Sequence, residues 1–185
     1  MSADNEPGDG ATRHRARDGA AFEIQPCIDG AHHFTRAQWR AELQRGMTRL
    51  SPRSRWQRFA SGIGQLSDRQ LDELTDIDGT WRVALCAVVA TGGDYEGIGV
   101  APYLVLPGTT DIAEFAVTVV DRWQGRGVGG ALLDRLLDSA RRSGLATLRG
   151  YVFPSNAAML ALCRRHGARI VAGTDFIQVD IDVGR

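Results

Sequence analysis

The sequence predicts a single α/β (α+β) domain in which an antiparallel run of strands is followed by alternating helices and strands. Three observations predict it. Apolar, strand-like segments bounded by Gly or Pro turns recur between residues 82 and 120. A glycine-rich turn then leads into one strongly amphipathic helix. From residue 80 onward the order reads β-β-β-α-β-α-β-β. A chain of 185 residues is long enough for one domain with a sizeable core, and no internal repeat or linker divides it.

Taken in order, residues 1 to 21 are polar and rich in Gly, Arg and Asp and read as a disordered tail, leaving 22 to 185 as the domain. Phe22 to Ile28 is a first strand interrupted by Pro26. Thr35 to Arg45 has helical spacing, with Thr35 as N-cap. Ser51 to Ala60 is a second helix with Pro52 at its first position. Ser67 to Leu74 is a helical turn opened by a Ser-x-x-Gln box. Arg82 to Ala90 is a buried strand, Thr91 to Gly97 a turn, and Ile98 to Leu106 a strand in which Pro102 marks an edge or bulge. Ile112 to Val120 completes the meander. The helix from Gly127 to Arg142 carries the stripe Val128, Leu132, Leu133, Leu136, Leu137, Ala140 and ends at Gly144. Leu148 to Phe153 is a strand, and Asn156 to His166 a helix capped by Ser155 or Asn156. Arg169 to Ala172 and Phe176 to Asp182 close the fold.

Composition narrows the function classes. Hydrophobic residues at 43% and charged residues at 24% are ordinary for a globular protein. Twenty-two basic and 22 acidic residues balance, which gives no global reason to expect nucleic acid or an acidic membrane as partner. Every basic residue is arginine, so an amine-modifying enzyme of this sequence has no lysine of its own to modify. Cys27, Cys86 and Cys163 form no C-x-x-C pair and suggest neither zinc nor a disulfide framework. No apolar run is long enough to span a bilayer, and the N-terminus lacks a secretory h-region, which together read as a cytoplasmic protein.

The most informative segment is Val117 to Gly130, VTVVDRWQGRGVGG. A strand enters Gln124-Gly125-Arg126-Gly127-Val128-Gly129-Gly130, and a helix leaves it. Glycines admit positive φ and close approach of a ligand, and free N–H groups at a helix start bind phosphate. Arg126 adds a candidate charge contact. A dinucleotide fingerprint fails at its third glycine and lacks an acidic ribose ligand some 20 residues on; a Walker loop needs a lysine. A coenzyme A diphosphate site and a plain strand–helix turn remain open.

Gln124-Gly125-Arg126-Gly127-Val128-Gly129 resembles the R/Q-x-x-G-x-G/A signature of the GNAT acetyltransferase superfamily. The helix that Asn156 opens and Gly167-Ala168 closes is similar to that family's N-x-x-A…G-F segment, with Ala168 in place of the aromatic. Leu50 to Phe59, LSPRSRWQRF, resembles a segment common in bacterial protein-lysine acetyltransferases. The resemblance implies a mixed, mostly antiparallel central sheet flanked by helices, with acetyl-CoA as cosubstrate, no metal, and an amine acceptor, a protein lysine or a small molecule. By position it implies that backbone groups of Val117, Thr118 and Val119 bond the pantetheine and thioester. The amides of Gly125 to Gly130 would hold the diphosphate, and Asn156 would contact the pantetheine arm.

A lysine amine, pKa about 10.4, must lose a proton before it attacks a thioester. Glu114 is the candidate general base: strand alternation puts it on one face with Ala116, Thr118 and Val120, and its position matches the catalytic glutamate of the lysine-acetylating group. The alternative is a solvent-facing strand residue. The family's usual acid, a tyrosine seven residues after the asparagine, is here Cys163, a position that also suits packing. Its absence gives a second reading, an acyl-CoA sensor without turnover. Asp94, Tyr95 and Glu96 at a hairpin, the His32-His33 pair, Arg53, Arg55 and Arg58 on one helix, His166 and Trp123 read as solvated or packing residues. The sequence leaves the oligomeric state open.

Overall fold

The computed structural model describes residues 10–28 and 33–184. The chain enters as a hairpin of β1 (Thr12–Arg15) and β2 (Ala21–Pro26), then forms α1 (Arg36–Thr48), α2 (Pro52–Phe59) and α3 (Asp68–Thr75). A long hairpin follows, β3 (Arg82–Thr91) and β4 (Asp94–Val105), and then β5 (Ile112–Phe115) and β6 (Thr118–Val119). Next come α4 (Val128–Arg142), β7 (Thr147–Val152), α5 (Ala157–Arg165), β8 (Arg169–Val171) and β9 (Ile177–Asp182). The strands make one sheet in the order β1-β2-β3-β4-β5-β7-β9-β8, with β6 also on β4. All its pairings are antiparallel except β5 with β7.

Strand alternation sorts the core into two faces. On β3, Val83, Leu85, Ala87 and Val89 join the large cluster under α4, where Val128, Leu132, Leu133, Leu136 and Ala140 are buried. Cys86 and Val88 point the other way and meet Phe34 and Trp39 beside α1. The stripe predicted on α4 is the buried one, with Leu137 only partly covered. Thr35 and Ser67 each close a full capping box.

Three differences from the sequence reading have physical reasons. The strand Thr12–Arg15 lies inside the stretch read as a tail; it is a short polar edge strand paired with β2, and residues 1–9 lie outside the described residues. The turn between β3 and β4 tightens to Gly92 and Gly93, whose φ values of 59° and 101° suit a two-residue hairpin, so β4 starts at Asp94. The strand expected over 112–120 is interrupted, although its register on β4 runs unbroken from Tyr103↔Phe115 to Val100↔Thr118. The interruption falls opposite Pro102: Ala116 donates to the Pro102 carbonyl at 3.1 Å, and Pro102 has no N–H to return. Pro102 thus sits within a central strand, and the register shift lies between Ala87 and Val88.

Asp180 on β9 ties the far side of the sheet together. Its carboxylate is 5% exposed and accepts from Arg149 at 2.8 and 3.1 Å and from Arg169 at 2.7 Å. Burial alone raises its pKa, but the Arg149 bonds and charge and the Gln178 and Arg169 contacts outweigh it and hold the carboxyl below its usual range. A depressed carboxyl contributes stability that is complete above about pH 4 and is lost as pH falls through the lowered value. Asp180→Asn is therefore expected to be about 1–3 kcal/mol less stable at pH 7 by urea unfolding. The gap to the native chain should shrink at pH 2–3; an equal gap at both pH values would contradict the assignment.

Candidate active site

The sheet opens where two strands part. Parallel pairing of β5 with β7 runs from Ile112↔Thr147 to Glu114↔Arg149 and stops. Beyond it β6 stays with β4, and β7 stays with β9 as far as Val152↔Ile177. The wedge between them has Val117 to Val119 on one lip and Gly150 to Val152 on the other. Ala116 and Val120 donate to β4, at Pro102 and Ile98, so alternation turns the backbone groups of Val117 and Val119 toward the wedge. A strand edge with free amide and carbonyl groups is what an extended amide-bearing ligand pairs with.

The glycine-rich turn closes one end of this wedge. Gly125 has φ 71° and Gly127 φ 98°, conformations that favour glycine. Gly127 is the N-cap of α4 and has no side chain to cap with, so Ala131, bonded to the Gly127 carbonyl, makes the first helical bond. The amides of Val128, Gly129 and Gly130 precede it at the positive end of a 15-residue helix. A Cβ on Gly129 would lie 3.7–3.8 Å from Leu162, Val119 and Val117, so the turn abuts the lip.

The side chains of the turn have other partners. Gln124 donates inward to the Val119 carbonyl at 3.0 Å and to Ser54 and Asp121 at 3.2 Å. Desolvation works against ionisation of Asp121, yet the Ser51 and Ser54 hydrogen bonds hold its carboxyl below the ordinary range. The network fastens the N-terminus of α2 to the turn. The Arg126 guanidinium stacks on buried Trp123, 3.9 Å from the ring centroid, and pairs with Asp18. Asn156 caps α5, its Oδ1 accepting from the Met159 amide at 3.2 Å, which leaves its NH2 group available.

Glu114 lies at the mouth of the wedge on the face away from α4. It is exposed and stands in register between Leu104 and Arg149. Arg58 of α2 faces it: burial lowers the arginine's pKa, and the Glu114 charge partly offsets this. Trp56 of α2 stacks on Phe153 at 6.3 Å, and Phe153 meets Phe176 at 4.6 Å, so α2 leans over both lips. Beside them an open groove runs between α1, α2 and the sheet. Leu43, Met47, Leu50 and Phe59 line it, together with Thr118, whose hydroxyl is buried without a partner. A buried orphan hydroxyl beside an apolar groove suits a ligand that brings one polar group.

Sequence reasoning passed over Arg58 as a neighbour of Glu114, and over Arg17 and Asp18 altogether. The contacts concerned span 56 and 108 positions, and no local pattern signals them. Cys163 is fully buried in the main core, and burial pushes its thiol up to about 11, which suits packing. His33 bonds Glu23 at 2.9 Å and stacks on Tyr95; His32 lies outside the described residues. His166 bonds the Leu162 carbonyl and Asp134, both at 2.9 Å. Glu96 pairs with Arg122 and Arg49 on β4. Among the described residues there is no group of three potential metal ligands, and no helix is long and apolar enough to cross a membrane.

Comparison with known proteins agrees with this geometry. A model of the acetyltransferase (GNAT) family matches residues 54–168. A curated acetyltransferase of Pseudomonas aeruginosa is 33% identical over 143 residues, covering 76% of this chain and 76% of its own length. The GNAT domain of S. lividans PAT superposes with a TM-score of 0.80 at 25% identity, over 93% of this chain and 96% of that one. The yncA structure from Salmonella typhimurium, solved with its cofactor acetyl-CoA, shares the fold at a TM-score of 0.61 and 20% identity, over 82% and 92% of the two chains. The chain therefore belongs to the GNAT acetyltransferase family, a class of acyl-CoA-dependent transferases.

Proposed function

We propose that this protein transfers an acetyl group from acetyl-CoA to a primary amine, with Glu114 as general base. The observation that carries the reading is the wedge itself. It joins a strand edge for the pantetheine amides, an uncapped helix start for the diphosphate, and a carboxylate at the open mouth. The amides of Gly125, Arg126, Gly127, Val128, Gly129 and Gly130 would cradle the diphosphate. Val117 and Val119 would pair with the pantetheine and polarise the thioester carbonyl; Thr118, whose backbone is turned to β4, would offer its unpartnered hydroxyl instead, and the Asn156 NH2 group would bond the arm. Gln124 would hold the lip in shape through the Val119 carbonyl.

The amine would approach from the Glu114 side. Glu114 takes its proton, directly or through a water, and the neutral nitrogen attacks the thioester carbon. Collapse of the tetrahedral adduct breaks the C–S bond, and the nitrogen gives up its extra proton, through water, to the departing thiolate, leaving the neutral amide and free coenzyme A thiol. A thiolate whose conjugate acid has a pKa near 8.5 leaves without needing a protein acid, which accommodates a buried Cys163. The LSPRSRWQRF segment, which builds α2 over Glu114 and resembles one common in bacterial protein-lysine acetyltransferases, favours a protein lysine as acceptor. A small amine is the alternative.

Thermal melting with acetyl-CoA, ATP and NAD tests the coenzyme assignment. A ligand at 100 times its Kd stabilises by about 2.7 kcal/mol, about 5–10 °C at this chain length. The expected result is a shift with acetyl-CoA alone. No shift at millimolar acetyl-CoA overturns the reading, and a shift with ATP or NAD instead would make the turn a nucleotide site.

A further inference from the structure

We infer that Arg17, on the turn of the N-terminal hairpin, is a ligand for the 5′-diphosphate of the coenzyme, and that Arg126 instead clamps that hairpin to the glycine-rich turn. The inference rests on the acetyl-CoA reading above and adds a residue from outside the matched motif. The hairpin turn is fixed at several points. Ala16 is buried in the main core, the Gly19 amide returns to the Ala16 carbonyl at 2.9 Å, and the Arg17 amide donates to the Arg126 carbonyl at 2.9 Å. Arg135 of α4 reaches the Gly10 carbonyl at 3.2 Å. Arg17 is thereby held against the turn: its Nη1 lies 3.4 Å from the Gly125 carbonyl, and its Cγ 3.8 Å from where a Cβ on Gly127 would stand.

The three cations around the turn differ in what they already hold. Arg122 pairs with Glu96. Arg126 pairs with Asp18, stacks on Trp123 and donates to the Arg122 carbonyl at 3.4 Å. Arg17 is exposed and, among the described residues, has no carboxylate partner; its guanidinium makes one hydrogen bond there, the 3.4 Å one to the Gly125 carbonyl. A guanidinium with free donors beside a row of unpaired amides is suited to bidentate phosphate binding. Arg126 would have to break its pair with Asp18 to do the same.

Calorimetric titration of acetyl-CoA and 3′-dephospho-CoA into the full chain and its Arg17→Ala, Arg17→Lys and Asp18→Asn variants tests this. The native chain should bind both ligands. Arg17→Ala should weaken both alike, by about tenfold, with an unchanged melting temperature, and Arg17→Lys should recover part of the loss. Asp18→Asn should weaken binding as the hairpin loosens. Unchanged binding in Arg17→Ala overturns the inference, and a loss confined to acetyl-CoA overturns the diphosphate assignment in favour of the 3′-phosphate. Tighter binding in Asp18→Asn would return the phosphate role to Arg126. Failure of the native chain to bind either ligand would instead sink the coenzyme reading beneath it.

Discussion

Glu114→Gln is expected to lower kcat by a factor of about 10²–10⁴ at neutral pH while leaving acetyl-CoA affinity unchanged. The two halves of this expectation come from different faces of the sheet. Glu114 points away from α4, and the wedge lip and glycine-rich turn lie beyond it, so an isosteric amide disturbs neither. What the substitution removes is the only carboxylate that β5 brings to the mouth of the wedge. A lysine amine at pH 7 is overwhelmingly protonated, and without a base the enzyme must use the small neutral fraction. That dependence gives a signature a structural role would not show. As pH rises toward the amine's pKa, about 10.4, the neutral fraction grows and the defect should narrow. Steady-state rates from pH 6 to 9.5 with saturating acetyl-CoA would measure it. A variant within twofold of the native rate across that range would remove Glu114 from the mechanism. A native chain that binds acetyl-CoA but shows no rate with any amine would favour a sensor.

Much of the path to this site was legible in the sequence, because each part is specified locally. Helix α4 follows from 3.6-residue periodicity, Ser67 and Gln70 form their box within four residues, and Gly125 and Gly127 stand where φ is positive. The rest was written in contacts between distant residues. Thr12–Arg15 has the composition of a tail and becomes a strand only because β2 offers an edge. The polarity that hid it also suits an outermost strand, where charged side chains discourage further pairing. Arg126 carries the composition of a phosphate ligand, and only the fold shows Asp18 and Trp123 already around it. In the sequence, the missing N–H of Pro102 signals an edge or a bulge. The same missing donor instead interrupts the strand pair that forms the wedge lip.

Glu42→Ala is expected to destabilise the chain by about 2–4 kcal/mol, a fall in Tm of about 5–15 °C. Glu42 sits on α1 with its side chain 3% exposed, and its carboxylate accepts from Arg45 at 2.6 Å, Arg49 at 2.6 Å and the Gly97 amide at 2.9 Å. Gly97 is a fitted partner: a Cβ there would stand 3.0 Å from Glu42 Cγ. Removing the carboxylate strands the Gly97 N–H and leaves Arg49 with its weaker bonds to Glu96 at 3.4 Å and the Gly97 carbonyl at 3.2 Å. Those residual contacts, and the exposure of Arg45, keep the expected loss below that of a fully enclosed pair. Glu42→Gln retains an acceptor for the Gly97 amide and should lose about half as much. The position also has a functional consequence, because Glu42 and Gly97 line the groove beside Thr118. Loosening α1 there should raise the KM for the acceptor while acetyl-CoA affinity, set at the turn before α4, stays unchanged. Urea unfolding and paired KM measurements on both variants separate these effects. A loss under 1 kcal/mol in Glu42→Ala would show that Arg49 and Gly97 find other partners and that packing alone holds α1 to the sheet.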